Sequence, residues 1–238
     1  MRPPERPSPD PLTLLRSGAI EMKGRLPWSS NATFLVDVCL DDTSGLAVYK
    51  PLRGERPLWD YPEGLYRREV ATYLVSEALG WGLVPETVIR EDGPLGPGSL
   101  QRFVDADFGE HYFTLLERPE HHDALKAVCT FDLVVNNGDR KSGHCLLGRG
   151  GRLWAIDHGL CLHVDPKLRT VIWDFAGQPV PEARLEALGR LASSPPTALA
   201  GLVHEAEVEA LAARCAVVLR RPVFPPVRSP RAYPWPRV

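Results

Sequence analysis

Short apolar runs separated by polar turns occupy the first half of the chain, a pattern that predicts β-strands. The runs lie at 19–24, 33–38, 46–50, 86–90 and 100–104. Residues 41–45 are predicted to form a hairpin turn, in which Gly45 can adopt a positive φ. The first three runs are therefore expected to pair as antiparallel strands.

Elsewhere in the chain, apolar residues recur with the period of an α-helix. A helix is predicted at 63–79, between the third and fourth runs, and Gly80 is expected to end it. In the second half, helices are predicted at 124–135, 181–191 and 205–220. A hairpin over 145–156 separates the first of these from the others. Strands followed by helices indicate an α+β chain with two lobes.

Proline-rich segments at the two ends of the chain indicate where the lobes begin and end. The chain has 24 prolines, many of them near its ends. We expect a disordered tail over residues 1–11 and a proline-rich extended tail over residues 222–238. Residues 12–104 would form the strand-rich lobe, ending in a hinge at 101–104, and residues 105–221 the helical lobe.

Charge and cysteine usage exclude several classes of protein. Lysine and arginine number 28 against 30 acidic residues, so the net charge of -2 gives no reason to expect nucleic-acid binding. Five scattered cysteines without a CxxC pair favour reduced thiols in a cytoplasmic protein. No apolar run approaches the roughly 20 residues that span a bilayer, so no integral membrane segment is expected. The N-terminal residues also lack the apolar core of a signal peptide. None of these features indicates an oligomeric state.

Two acidic residues stand on the loops that flank the predicted hairpin. Asp139 and Asp157 are 18 residues apart, a gap that a short strand pair can span so that both acids reach one cleft. Phosphoryl transfer needs such a pair, because one acid orients the attacking group and the other holds the metal that neutralises the phosphates. Lys50, at the end of a predicted strand, would add a cation for the phosphates.

The order of these residues resembles that of a known family. Along the chain stand Lys50, Glu69, Ser99–Val104, Asn137–Arg140 and Ile156–Gly159. This set resembles the phosphoinositide 3-/4-kinase-like superfamily, and most closely the type II phosphatidylinositol 4-kinases and their compact bacterial relatives. The resemblance extends over roughly residues 18–175. It implies a bilobal protein-kinase-like fold and a phosphotransferase that uses ATP with Mg²⁺ or Mn²⁺.

The resemblance also implies which residues bind the nucleotide. Lys50 would pair with the α- and β-phosphates, and Glu69 would orient Lys50. Ser30 and Asn31 lie where the family has a glycine-rich turn that covers the phosphates. The backbone of the hinge that reads adenine would come from Gln101, Arg102, Phe103 and Val104.

The catalytic and metal-binding residues follow from the same resemblance. Asp139 would be the catalytic aspartate, and Lys141 would contact the γ-phosphate. Asp157 would bind the metal, together with His144, which occupies the position of a metal-binding Asn in the family. Mg²⁺ prefers oxygen ligands, whereas an imidazole nitrogen suits Mn²⁺ better. We therefore expect Mn²⁺ to support activity better than Mg²⁺, or occupation of the Asp157 metal site alone.

Other hypotheses remain open at the level of sequence. The phosphoryl acceptor is unassigned, and a lipid, a protein or a small molecule would be compatible. A nucleotide-binding pseudokinase with a regulatory role and an enzyme that transfers AMP are the alternatives within the same fold. A metal site outside that fold could draw on His144, Cys145, His158, Cys161 and His163. Asp132, inside the predicted helix at 124–135, would either anchor the loop that follows or cap the helix.

Overall fold

The computed structural model describes residues 10–27 and 31–237, which form two compact units. Unit 1 consists of the described residues up to Tyr66 together with Glu86–Phe103. Unit 2 consists of Arg67–Pro85 and the described residues from Val104 onward. Most of the predicted tail at 1–11 lies outside the described residues.

Unit 1 is built on an antiparallel sheet of five strands. The strands are β1 (Ala19–Arg25), β2 (Phe34–Leu40), β3 (Thr43–Pro51), β4 (Thr87–Arg90) and β5 (Gly98–Arg102). Their order in the sheet is β1-β2-β3-β5-β4, and each overlaps a run predicted from the sequence. The last of these five strands, β5, therefore lies between β3 and β4, beside the strand that carries Lys50.

The hairpin turn between β2 and β3 differs from the prediction. Asp41, rather than Gly45, adopts the positive φ, at 51°. Gly45 lies within β3 and pairs with Val38. The turn between the two strands is tighter than predicted, because Leu40 pairs with Thr43. Aspartate tolerates the left-handed region better than most residues, since its short polar side chain can hydrogen-bond locally.

A short helix missing from the prediction covers part of this sheet. Helix α1 (Pro11–Ser17) begins at Asp10, whose carboxylate accepts the Leu12 N–H at 2.8 Å. Proline at the first helical position is compatible with a helix start. Leu15 joins the buried side chains of the sheet, and Arg90 holds the helix end by donating to the carbonyls of Leu15 and Gly18. The core of unit 1 consists of Leu15, Val36, Val38, Ala47, Tyr49, Val88 and Leu100.

Unit 2 is mainly helical. Its helices are α2 (Leu65–Leu79, with the first two residues in unit 1), α3 (Tyr112–Leu116), α4 (His122–Val135), α5 (Glu182–Ser193) and α6 (Glu205–Arg220). A small sheet contains β6 (Ala106–Asp107), β7 (Cys145–Gly148) and β8 (Leu153–Ala155), in that order. Helix α4 is buried along most of its length, which makes it the central helix of the unit.

None of the helices in the described parts of the chain has both the length and the apolar character that a membrane span requires.

The proline-rich segment at 222–237 packs on the rest of unit 2. Phe224 is only 1% exposed, and its backbone exchanges hydrogen bonds with Gly177 and Gln178. Further along, the carbonyl of Ala232 accepts the Thr170 N–H. The segment therefore follows a fixed course over the unit, although its composition alone predicts an extended tail.

Truncation of Phe224 tests whether this segment contributes to stability. We expect Phe224→Ala to lower the free energy of unfolding by about 3–5 kcal/mol, because it leaves a cavity in a buried site. The matched control is Trp235→Ala in the same segment, since Trp235 is 88% exposed. That control should change the free energy by no more than about 0.5 kcal/mol. Equal effects of the two variants in urea denaturation would contradict this packing.

Candidate active site

The loop at 136–144 begins where α4 ends. Asn136 takes a left-handed conformation, with φ at 55°, and so turns the chain out of the helix. Its side-chain amide donates to the carbonyls of His163 (3.0 Å) and Asp165 (2.7 Å), and its Oδ1 accepts the Lys167 N–H (2.9 Å). Asn136 thus ties the start of this loop to the chain that follows Asp157.

A single buried guanidinium joins the two predicted acidic loops. Arg140 is completely buried, and it donates to both carboxylate oxygens of Asp132 at 2.9–3.1 Å. It also donates to the carbonyls of Ile156 (2.7 Å) and His144 (3.3 Å) and to Nε2 of His158 (2.7 Å). Helix α4, the loop at 136–144 and the chain around Asp157 therefore meet at one side chain.

The partner of Arg140 explains why a charge is stable in this interior. Burial by itself would lower the pKa of Arg140, but the Asp132 carboxylate reverses this effect and raises that pKa above its ordinary value. The carboxylate accepts further hydrogen bonds from Asn137 Nδ2 (3.0 Å) and Thr170 Oγ1 (3.3 Å). Asp132 therefore anchors the following loop, which is the first of its two predicted roles.

Asp139 is placed by the backbone of this loop and lies beside Lys141. Its N–H donates to Asn137 Oδ1 at 2.9 Å, and its Oδ2 lies 3.3 Å from Lys141 Nζ. Burial raises the pKa of Asp139 to about 6. Lys141 opposes that rise, and the negative charge of Asp157 adds to it. A carboxylate held at such a pKa is suited to accept a proton near neutral pH.

Asp157 and His144, the two predicted metal ligands, lie next to each other. Asp157 Oδ2 is 3.3 Å from His144 Nε2. The backbone of Asp157 has a φ of 61°, a conformation that is uncommon for a residue other than glycine and that occurs often at functional sites. One carboxylate oxygen and one imidazole nitrogen therefore converge, so the two side chains fit a divalent ion that takes its other ligands elsewhere.

Glu69 also acts on the chain around Asp157. Its Oε2 accepts the N–H of His158 at 2.9 Å, which fixes the backbone immediately after Asp157. Its neighbour Arg68 pairs with Glu207 at 2.7 Å and donates to the carbonyl of Cys161. The predicted role of Glu69 toward Lys50 stays a prediction.

The other predicted nucleotide-binding residues belong to unit 1. Lys50 pairs with Ser99 across β3 and β5, and Gln101 pairs with Val48. Asn31 accepts the Arg56 N–H through its side chain at 3.0 Å. Ser30 lies outside the described residues. The nucleotide-binding roles of these residues and of the remaining hinge residues stay predictions.

The alternative metal site from histidine and cysteine is not assembled. Within residues 10–27 and 31–237, no three His, Cys, Asp or Glu side chains group in a way that could hold a metal ion. Cys145 and Cys161 are buried, and burial raises the pKa of both thiols, that of Cys145 to about 12. Both thiols therefore stay protonated at neutral pH, whereas metal ligation needs the thiolate.

Sequence reasoning missed the central role of Arg140. Arg140 stood there only as part of the 137–140 motif, with no role assigned to it, whereas the structure pairs it with the buried Asp132. One signal was present, because an aspartate within the apolar α4 helix needs a compensating charge if it is buried. That signal does not identify the partner, since the residue that supplies the charge depends on the tertiary fold.

Comparisons with known proteins identify related sequences and folds. The family model for phosphatidylinositol 3- and 4-kinase matches residues 67–213, a range that contains Glu69, Asp139 and Asp157. The chain is 41% identical to Protein Rv2133c of Mycobacterium tuberculosis, over 95% of each sequence.

Two solved structures have a similar fold. Hydra Fam20 with sugar matches with a TM-score of 0.59 at 12% identity, over 88% of this chain and 86% of that one. The Golgi casein kinase with Mn/ADP bound matches with a TM-score of 0.56 at 13% identity, over 95% and 79% of the two chains. The fold class is therefore bilobal and kinase-like, as predicted.

Removing the carboxylate of Asp132 tests the buried pair. Asp132→Ala leaves the Arg140 charge buried without its partner, so we expect it to lower the free energy of unfolding by about 3–5 kcal/mol. The control is Asp123→Ala, which removes an exposed partner of Arg184 on the same helix. Exposed pairs contribute about 0–1 kcal/mol. Chemical denaturation that gives the same small loss for both variants would show that Arg140 does not depend on Asp132.

Proposed function

We propose that this chain, which belongs to the phosphatidylinositol 3- and 4-kinase family, transfers the γ-phosphoryl group of ATP to an acceptor with the help of a divalent metal ion. The chain is a kinase-type phosphotransferase, and the use of ATP and metal is the proposed part. The observation that carries the proposal is the buried Arg140, which holds the loops of Asp139 and Asp157 together.

Asp139 is the proposed proton acceptor. Its raised pKa of about 6 leaves it mostly ionised at neutral pH yet basic enough to take a proton from an attacking hydroxyl. Lys141, 3.3 Å away, supplies positive charge beside that carboxylate. A cation in this position favours the charge that develops on the transferred phosphoryl oxygens.

Asp157 and His144 are the proposed metal ligands. When bound, a divalent ion would neutralise charge on the phosphates of the nucleotide. The mixed oxygen and nitrogen donors support the expected preference for Mn²⁺ over Mg²⁺. Glu69 would keep these ligands in place through the backbone of His158.

The acceptor is the open part of the proposal. The geometry around Asp139 supports a hydroxyl acceptor, which a lipid, a protein or a small molecule can each provide. Membership of the family does not fix the substrate, because function depends on the site rather than on the fold. The closer link to type II phosphatidylinositol 4-kinases and a cytoplasmic location stay predictions.

Labelled ATP separates the proposed activity from its alternatives. The protein is incubated with either γ-labelled or α-labelled ATP, Mn²⁺ and candidate acceptors. Label transferred from the γ position supports the proposal. Label transferred from the α position indicates an AMP transferase, and nucleotide binding without transfer indicates a pseudokinase.

Two substitutions connect that activity to the site. We expect Asp139→Asn to reduce transfer of the γ label by about 10²–10⁴-fold, the usual contribution of a general base. Asp157→Asn should reduce transfer and weaken the dependence on metal. The control is Asp123→Asn, an exposed aspartate on α4. Full transfer by both site variants would mean that the assignment of the site is wrong.

The pH profile reports directly on Asp139. Protonation removes its ability to accept a proton, so kcat/KM should decrease as the pH falls through about 6. Lys141 lowers the pKa of Asp139, so Lys141→Gln should move the midpoint of that decrease to higher pH as well as slow the reaction. A midpoint that stays in place or moves to lower pH in Lys141→Gln would contradict the assignment.

A further inference from the structure

A cavity of about 640 Å³ lies in unit 2, between the end of α6 and the segment that follows it. This volume is typical of sites for small organic ligands. Much of its lining is apolar, with contributions from Leu133 on α4, Val218 on α6, and Val223 and Phe224 in the following segment. The cavity therefore offers a wall against which an apolar chain can pack.

The charged side chains that line this cavity are all positive. They are Arg214, Arg221 and Arg228, and the lining contains no Asp or Glu. Within the described parts of the chain, these three arginines form no salt bridge with a carboxylate. An apolar wall beside three guanidinium groups that form no salt bridge is complementary to a molecule with an apolar body and a negative charge.

Arg214 is the most strongly fixed of the three. Its Nε donates to the carbonyl of Val134 at 2.7 Å, and its Nη1 donates to the carbonyl of His163 at 3.1 Å. These bonds hold the guanidinium in one orientation, so a ligand does not have to order it. Its third nitrogen, Nη2, is buried and has no hydrogen-bond partner.

The environment of Arg214 favours an anionic partner. Burial lowers the pKa of Arg214, because the charged form lies in a poorly solvated place, and the negative charge of Glu207 offsets this effect only in part. A buried donor without an acceptor costs free energy, and a carboxylate on Nη2 would remove that cost. Charge-assisted hydrogen bonds of this kind are stronger than neutral ones.

We propose that this cavity binds a fatty carboxylate, with the carboxylate on Arg214 and the acyl chain against Leu133, Val218 and Phe224. Arg221 and Arg228 contribute positive charge around the head group. This site is formed by α4, α6 and the segment after α6, and its argument does not depend on the activity proposed above.

Three probes with the same chain length test the proposal on the 238-residue protein. Laurate, dodecanol and dodecyltrimethylammonium carry negative, neutral and positive heads, and their binding is measured by isothermal titration calorimetry below their aggregation concentrations. We expect laurate to bind at least about tenfold more tightly than the other two. One charge-assisted hydrogen bond between its carboxylate and Arg214 is sufficient for about a tenfold difference in the dissociation constant. Equal binding of the three, or no binding of laurate, would overturn the proposal.

Substitutions locate the carboxylate. Arg214→Gln should weaken laurate binding by about tenfold or more, whereas Arg220→Gln, an exposed arginine outside the cavity, should leave it unchanged. Equal affinities of these two variants would overturn the assignment of Arg214.

A second pair of variants covers the case in which Arg214→Gln fails to fold. Val217 lines the cavity and is 55% exposed, so polar replacements there should be tolerated. Val217→Glu should repel laurate and weaken its binding severalfold relative to the neutral Val217→Gln. Indistinguishable affinities would reject the proposal. Binding of phosphatidylglycerol vesicles without binding of monomeric laurate would likewise reject it, in favour of a membrane-facing surface.

Discussion

The buried ion pair between Arg140 and Asp132 is the constraint on which the arrangement of the site depends. One guanidinium with no exposed surface bonds to a helix, to its own loop and to the chain around Asp157. The two acids are 18 residues apart in sequence, and nothing local fixes their distance. Because Arg140 has several donors in a rigid plane, it can hold three segments at once, which a lysine could not do.

The charged residues of the site fall into two groups, those that hold the chain in place and those that the proposed reaction uses. Asp132 and Arg140 are buried and paired, so their role is to position other groups. Asp139, Lys141, His144 and Asp157 lie at the partly exposed edge of the same network. Burial there is sufficient to raise the pKa of Asp139, yet the four side chains stay partly exposed. Phosphoryl transfer is catalysed mostly by positioning the reactants and by stabilising charge on the phosphoryl oxygens. Buried residues that hold polar side chains in place suit this requirement.

The sequence predicted the regular elements and the acidic loops because both depend on local signals. Period-two runs located the five strands of unit 1, and helical spacing located α2, α4, α5 and α6. The family resemblance implied that His144 and Asp157 share a metal site, and the structure places their side chains 3.3 Å apart. The strands and helices could be predicted without knowledge of any long-range contact.

The features that sequence reasoning missed depend on tertiary contacts. Helix α1 is too short for a helical spacing of apolar residues to be recognised within a proline-rich region. It is stabilised instead by Leu15, which packs on the sheet. The segment at 222–237 has the composition of an extended tail, but Phe224 inserts into unit 2 and fixes its course. The partner of Asp132 could have been any cation, and only the folded chain selects Arg140.

Replacement of the pair by two apolar residues tests the central claim most directly. A buried ion pair can often be exchanged for apolar side chains of similar size with little loss of stability. We predict that Asp132→Leu combined with Arg140→Met stays folded, with a free energy of unfolding within about 2 kcal/mol of the parent. Its kcat for phosphoryl transfer should fall by about 10²-fold or more, because Arg140 no longer holds the loops of Asp139 and Asp157 in position relative to each other. A stable double variant that keeps the parent kcat would contradict the account.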